Sequence, residues 1–562
     1  MTRRTGPDVL VAGAGPVGLT VAHELARRGL SVRVVDAAEG PAHTSRAVAA
    51  HPRTLELYDQ MGVVEAMLNR GRRNRAFTMY ARGGRPARLE ADYATMPTSY
   101  PFTLLIEQTE TEAVLRAALS RRGIEVEWGV RLTGLSQDAD TVRATLSGPD
   151  AAEERAGGPA EERIEVPWLV GCDGGHSTVR AQLGLELAGE TSETWMLSDA
   201  PIETDLPPDT IYWAHTGSQA LMMVPFLRDG HWRVLDTVPA PREGDPRRAE
   251  ELLSEKLSAG LGHRVEVGPS RWTSVFTFQQ RMVERMHEGR VLVAGDAAHV
   301  HSPASGQGMN TGIQEACNLA WKLAMVAHGH AHRDLLATYS EERVPLGRTL
   351  LHSTRTATFL VQLKQAFASR ALPLVLTAVR TVRPLRRAVQ RKVLGGMSGL
   401  RIGYATSSLT TGAPGTSAGP APGERLTRAR VHDPGDPGCA ALHAELRDPR
   451  WTLLLAAGGR QPDDAPADVA GTAALQYAPW LSVRTVGGTG TDGPAPLTDR
   501  GGRLRTELGL TPGGWLLVRP DGHVAARGAT LTRAALSAAL APVGTLTPLA
   551  DRVPETPAVV PA

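Results

Sequence analysis

Asp8-Val9-Leu10-Val11-Ala12-Gly13-Ala14-Gly15-Pro16-Val17-Gly18 is the stretch whose reading decides the fold. Its apolar start reads as a short buried strand, and Leu19 to Arg28 reads as a helix whose small residues let it lie close to a sheet. Ser31 to Asp36 (SVRVVD) is then the second strand. Gly13, Gly15 and Gly18 stand between strand and helix at the spacing that permits a tight turn, close approach of backbone to a pyrophosphate, and close helix-to-strand packing. The helix N-terminus adds orphan N–H groups and a partial positive charge. Asp36, ending the second strand, is placed to accept hydrogen bonds from a ribose diol. The crossover implies a parallel sheet. The unit implies a dinucleotide site and does not distinguish a nicotinamide from a flavin dinucleotide.

Working outward, 562 residues exceed what one hydrophobic core supports, so two or three packed units are expected. With 42% hydrophobic and 21% charged residues and a formal charge of +2, nothing favours nucleic acid as a partner, and small molecules are the better expectation. Four Lys against 57 Arg, with abundant Ala, Gly and Pro, reflects a GC-rich coding bias rather than an arginine-based function. Cys172, Cys317 and Cys439 are far apart and form no CxxC pair, which excludes a zinc ribbon or disulfide framework and fits a reducing cytoplasm. No run of 18 apolar residues and no room for a signal peptide before the first strand point to a soluble, cytoplasmic chain without a membrane partner or a metal. The basic stretch Arg380, Arg383, Arg386, Arg387, Arg391, Lys392 could touch an anionic surface, though a solvated helix face is the ordinary reading.

The pattern predicts a helix over Glu107 to Arg121, and strands near Ile124 to Trp128 and Thr141 to Leu146. Between about Thr194 and Phe278 it changes to strand-like segments rich in Trp, Tyr, Phe and Met, which read as a separate sheet with an aromatic, adaptable face. Helical character runs, with interruptions, from Thr311 to Leu394, and Gly412 to Gly423 reads as a flexible linker. Beyond it, Trp451 to Leu455, Trp515 to Val518 and Val524 to Ala526, with a Pro520-Asp521-Gly522 turn, point to a small α/β domain. The expected fold class is α/β: residues 1–190 and 280–400 as a discontinuous Rossmann-like domain, 191–279 as an inserted mixed β-sheet domain to which part of 70–105 contributes, 401–425 as linker, and 426–562 as the C-terminal domain.

Two further motifs bear on the dinucleotide. Trp168 to Arg180 (WLVGCDGGHSTVR) carries Asp173-Gly174, and Arg290 to His299 (RVLVAGDAAH) carries Gly295-Asp296. With the glycine motif, in this order across about 300 residues, the chain resembles the group A flavoprotein monooxygenases of the para-hydroxybenzoate and phenol hydroxylase type. The resemblance implies one non-covalent FAD, with Asp296 bonding its ribitol, Asp173 near the pyrophosphate, and Arg46 and Gln108 touching the flavin. For Asp173 a turn-forming role with Arg180 as ion-pair partner stays open, and for Arg46 and Gln108 a surface cation and a helix polar face.

Pro303-Ala304-Ser305-Gly306-Gln307-Gly308-Met309-Asn310 precedes a helix in which Ile313, Ala316, Ala320 and Leu323 recur at helical spacing. Such a glycine-rich turn presents backbone N–H groups to negative charge, here that of reduced flavin over N1 and the C2 carbonyl. Family members commonly have Gly where this chain has Ser305.

The resemblance further implies NADPH or NADH as reductant, O2 as oxidant, and transfer of one oxygen atom from a flavin C4a-hydroperoxide to an aromatic substrate. Closest are the bacterial enzymes of aromatic polyketide biosynthesis whose C-terminal thioredoxin-like domain lacks redox cysteines, which implies a multi-ring aromatic substrate of anthracycline or angucycline type and antibiotic biosynthesis as the setting. Baeyer-Villiger insertion, oxidative rearrangement, dehydrogenation without oxygen insertion, and a non-catalytic flavin-binding role stay open, as does assembly as a homodimer. No catalytic base is identified; Tyr212, His215 and His231 are the substrate-pocket candidates.

Overall fold

The computed structural model describes residues 6–90, 96–148, 161–216, 219–237, 246–300, 306–362, 366–412, 418–433, 435–458, 466–487 and 496–548. Its first sheet has six strands in the order His287–Glu288, Val291–Val293, Trp168–Gly171, Val9–Ala12, Val32–Asp36, Val126–Trp128. All pair in parallel except the first, an antiparallel edge. Three of the inner strands are buried throughout, because helices cover both faces of a parallel sheet, and they accordingly read as continuous apolar runs. The helix Pro16–Ala26 begins with proline at its first position, where no N–H is needed, and packs against Gly308–Ala327 and Gln108–Ser120. Predicted and observed ends of these helices differ by up to three residues, as fraying termini do.

A second, nine-stranded mixed sheet runs in the order His299–Val300, Trp272–Met282, Ala188–Glu203, His231–Asp236, Ala220–Pro225, Thr210–His215, Ala76–Ala81, Ala87–Glu90, with Glu266–Val267 paired to Ala188–Glu203. Thr210–His215 pairs in parallel with Ala76–Ala81; the other pairs are antiparallel. Alternation along the strands splits the sheet into two faces. Tyr212, Ala214, Leu221, Met223, Trp232 and Val234 pack under the helix Pro246–Leu261 through Leu253 and Leu257. The opposite face carries Phe77, Ile211 and Val224, which pack with Ala49 and Leu105 of the first unit, and Trp195, Leu197 and Leu235.

The helical stretch resolves into Gly308–Ala327, Ala337–Gln362, Ala366–Thr381 and Arg383–Met397, the last two lying against Ala87–Glu90. A third large sheet follows, in the order Pro496–Leu497, Leu481–Val486, Trp451–Ala456, Trp515–Val518, Val524–Gly528. It does not stand apart. Trp321 of the helix Gly308–Ala327 meets Trp451 edge to face at 5.3 Å and shares its core, and buried Arg519 bridges Glu342 and Asp521 across the boundary. The connecting segment also departs from the flexible reading that its Gly, Pro and Ser content invited. Tyr404, Leu409 and Arg425 are buried, and Thr411 and Gly423 donate backbone hydrogen bonds to Ala525 and Val524. Among its described residues, glycine serves close approach rather than freedom: a side chain at Gly419 would run into the Leu508 carbonyl.

Candidate flavin site and the adjoining sheet face

Strand register builds the site. Ala12 pairs with Val35 on one side and Gly171 on the other, and Gly171 pairs with Val293, so four parallel strands end level with one another. Gly13, Asp36, Asp173 and Asp296 leave the sheet along this one edge, where ligands bind in open α/β sheets. Gly13 has φ +104°, and a Cβ there would collide with the Cys172 carbonyl; one at Gly18 would collide with the Gly13 carbonyl. Gly15 differs from both, since nothing lies within 4 Å of the position its Cβ would take. Two glycines are thus required by packing, and the third opens backbone at the start of a helix toward a ligand.

Asp36 is not free-standing. Its carboxylate accepts the N–H groups of Ala14 (2.6 Å) and Ala38 (2.8 Å), so it ties the glycine turn to the second strand and keeps lone pairs for a further donor. Asp173 accepts the Ser177 hydroxyl at 2.5 Å and the N–H groups of Thr178 (2.7 Å) and Val179 (3.1 Å), capping the short helix Thr178–Gln182. Arg180 reaches the Ala297 carbonyl at 3.3 Å instead of pairing with it. Asp296 is the contrast: it is exposed between buried Gly295 and Ala297, and its carboxylate makes no hydrogen bond among the described residues. A carboxylate projecting from a buried turn at the ligand edge fits recognition of a polyol.

Beneath that turn is a buried ion pair that sequence reading did not single out. Glu315 accepts from the Gly295 N–H at 3.0 Å and from His299 Nε2 at 2.7 Å, with Arg343 3.7 Å away. Burial alone would raise the Glu315 carboxyl and lower the His299 imidazole; their mutual attraction overcomes it, so Glu315 is held below and His299 above its usual range. The available signal was a single acid inside the buried run Ile313 to Leu319.

The turn into the helix Gly308–Ala327 lies opposite. Pro303 and Ser305 lie outside the described residues; Gly306 has φ +61°, which favours glycine. Asn310 donates to the carbonyls of Gly306 (2.8 Å) and Ala49 (2.9 Å) and accepts the His51 N–H (2.8 Å), locking the turn to the segment Ala49 to His51. Gln307 donates to the Gly396 carbonyl at 2.9 Å, and Met309 is buried. Gly308 is the first residue of the helix. Gln108 accepts from the Ala47 N–H (3.2 Å) and donates to Glu112 (2.9 Å), while its own N–H meets the Ser45 hydroxyl (2.7 Å). This holds the segment bearing Arg46, whose side chain is exposed.

The three pocket candidates do not converge. Tyr212 faces the helix Pro246–Leu261, its hydroxyl on the Pro207 carbonyl at 2.8 Å, because residue 212 alternates away from the Ile211 face. His215 lies buried in the same strand, and desolvation lowers its pKa to about 4, which makes it a weak base. His231, half-buried at a strand start, has Nδ1 3.1 Å from the Asp229 carbonyl.

Residues 7–354 match the family described as FAD binding domain, and the chain belongs to it. Within that family it is an FAD-dependent monooxygenase of the aromatic-hydroxylase type. It is 48% identical over 524 residues to the 6-methylpretetramide 4-monooxygenase of Streptomyces rimosus, covering 93% of this chain and 91% of that protein. Among solved structures it resembles OxyS anhydrotetracycline hydroxylase from Streptomyces rimosus, with TM-score 0.70 and 28% identity over 96% of this chain and 99% of that one. CabE, an aromatic hydroxylase from angucycline biosynthesis, matches with TM-score 0.70 and 28% identity over the same shares.

Proposed function

We propose that this monooxygenase hydroxylates a multi-ring aromatic polyketide, using NADPH or NADH and O2, in antibiotic biosynthesis. The observation that carries the substrate class is the 48% identity, over nearly the whole of both chains, to an enzyme named for a pretetramide scaffold. The geometry agrees with it. An apolar sheet face of Phe77, Ile211 and Val224 abuts Ala49, which Asn310 ties to the turn at Gly306, so a flat aromatic on that face would lie beside the end of the strand-edge cradle.

In this reading the chain's own residues bind and orient. Gly13, Gly15 and Gly18 with their helix N-terminus receive the pyrophosphate, Asp36 the ribose, and Asp296 the ribitol hydroxyls. Arg46, Gln108 and Asp173 complete the cradle. Backbone N–H groups at the start of the helix, Gln307 to Asn310, would be the donors that favour negative charge on the bound ring. Bound FAD supplies hydride acceptance and oxygen transfer, while the protein supplies orientation and exclusion of water. The C-terminal unit is read as thioredoxin-like, on its sheet with a central strand flanked by one parallel and one antiparallel neighbour, and as structural, since Cys439 is its only cysteine. The same reading places the enzyme in the cytoplasm.

The test is incubation of the purified protein with 6-methylpretetramide, NADPH and 18O2. A product heavier by one labelled oxygen supports the proposal. Oxidised product without label would make the enzyme a dehydrogenase, and label inserted with ring expansion would make it a Baeyer-Villiger enzyme.

A further inference from the structure

Between Glu342 and Glu424 the chain has twelve Arg and Lys and no carboxylate, although the whole protein is nearly neutral. Six of these cations, Arg380 to Lys392, fall on or between the helices Ala366–Thr381 and Arg383–Met397. None has a side-chain ion pair or hydrogen bond to another described residue, and all but the half-buried Arg386 are exposed. Some arginines elsewhere are paired, as half-buried Arg33 is with Glu127 and Glu162, so the concentration of unpaired cations on one pair of helices is the feature that stands out.

Exposed aliphatic side chains collect on the same two helices. Of the seven large hydrophobic residues exposed in the described structure, four are Leu374 (75%), Val375 (51%), Val382 (46%) and Leu385 (39%). Val375, Val382 and Leu385 recur at helical spacing, and the i to i−4 hydrogen bonds of Val382 and Arg386 carry the helical path across the junction. Leu376 and Val379 face inward, so the exposed aliphatics are not the core side of the helix misplaced. Scattered exposed leucines need no explanation, but a continuous aliphatic strip beside unpaired cations does.

We infer that this pair of helices is a docking surface for an anionic lipid bilayer, which it would contact without crossing. An interfacial helix combines aliphatic residues with Arg and Lys and is drawn to anionic headgroups. Protein interfaces favour Tyr, Trp and Met along with Arg, and of these the stretch 374–392 has only Arg, with no aromatic residue, no Met and no carboxylate. No helix among the described residues is long and apolar enough to span a membrane, so the contact is peripheral. The helices lie against Ala87–Glu90, which is hydrogen-bonded to Ala76–Ala81, the strand carrying Phe77. A docked bilayer would therefore lie beside the apolar sheet face, where an apolar aromatic held in the lipid has a short path to it.

The experiment is co-sedimentation of the FAD-loaded full chain with vesicles of phosphatidylcholine alone and of phosphatidylcholine with phosphatidylglycerol, at low and high salt. Binding is expected only to the anionic vesicles and is expected to fall with salt. The R383Q/R386Q/R387Q/R391Q variant should bind at least about tenfold more weakly, and L374S/V375S also more weakly, with flavin absorbance and melting temperature unchanged in both. Four results overturn the inference: no binding to anionic vesicles, equal binding to neutral ones, binding of soluble poly-L-glutamate in preference to vesicles, or self-association that the four-arginine variant abolishes.

Discussion

Arg233 grips Asp199 through two hydrogen bonds of 2.7 Å, and the same buried guanidinium donates to the carbonyls of Ser45 (2.5 Å) and Arg46 (2.9 Å). The pair joins two adjoining elements. Asp199 and Arg233 stand opposite each other on neighbouring strands of the second sheet, whereas Ser45 and Arg46 belong to the segment that Gln108 holds beside the candidate flavin cradle. Arg233 thus fixes the distance between the sheet face and the cradle with a planar, five-donor group that no other side chain reproduces.

Replacing Arg233 by Ala leaves Asp199 without its partner in a partly buried position, and the expected loss is about 3–5 kcal/mol of stability. Arg233→Lys keeps the charge but only part of the fork, so a smaller loss of stability is expected together with weaker FAD retention. Urea unfolding and FAD titration of the two variants check this; unchanged FAD affinity in both would detach Arg233 from the cradle.

The His299 and Glu315 pair predicts a pH dependence. His299 is raised in the folded state, so its stabilisation is complete below about pH 6.5, the unfolded imidazole value, and is lost as pH rises through the folded value. Glu315 is depressed, so its stabilisation is present above about pH 4.3 and is lost as pH falls through the folded value. The pair therefore helps most across the weakly acidic window between those two unfolded values. Glu315→Gln keeps an acceptor for the Gly295 N–H but removes the charge. The difference in unfolding free energy between wild type and variant should shrink as pH rises beyond that window, and a difference that is flat with pH would contradict the pairing.

Much of the proposed cradle is written in local signals. Glycines at fixed spacing, buried strands ending in Asp, and a glycine turn before an apolar helix are each written in a few neighbouring residues. What was not legible depends on which face a strand presents and on partners far apart in the chain. Tyr212 was a reasonable aromatic hydroxyl until register turned it toward the helix Pro246–Leu261, and His215 a reasonable base until burial lowered it. Arg233 and Glu315 carry no motif, because their partners lie 34, 187 and 188 residues away for Arg233 and 16 and 20 away for Glu315. The linker misled for a related reason: Gly and Pro permit flexibility, yet they also permit close packing, and at Gly419 and Gly423 packing prevailed.

Cys439 is buried, and burial raises its thiol above the ordinary range. A thiol–disulfide cycle needs a second cysteine nearby, and the other two lie in the first unit. Cys439→Ser is expected to keep full turnover; a large loss of activity in a folded variant would assign the C-terminal unit a redox role.

Hydride transfer requires access to the flavin edge, whereas oxygen insertion requires a closed, dry pocket, so one rigid geometry serves both poorly. Aromatic substrate is expected to favour the reducible arrangement by binding it more tightly. A bias of about 1.4 kcal/mol gives tenfold. Anaerobic stopped-flow reduction by NADPH should therefore be at least about tenfold faster with an accepted aromatic than without, and equal rates would remove the gating.

The level ends of four parallel strands are proposed to hold one FAD, and Asp296 tests this most directly because its carboxylate makes no hydrogen bond among the described residues that its loss would disturb. The measurement is titration of FAD into wild-type and Asp296→Ala apoprotein, followed by flavin fluorescence, with thermal melting of both apoproteins as the control for folding. One FAD per chain is expected in wild type, and affinity weaker by about 1–3 kcal/mol in the variant, at equal apoprotein melting temperature. Equal FAD affinity in the two proteins would contradict the assignment of the strand-edge cradle.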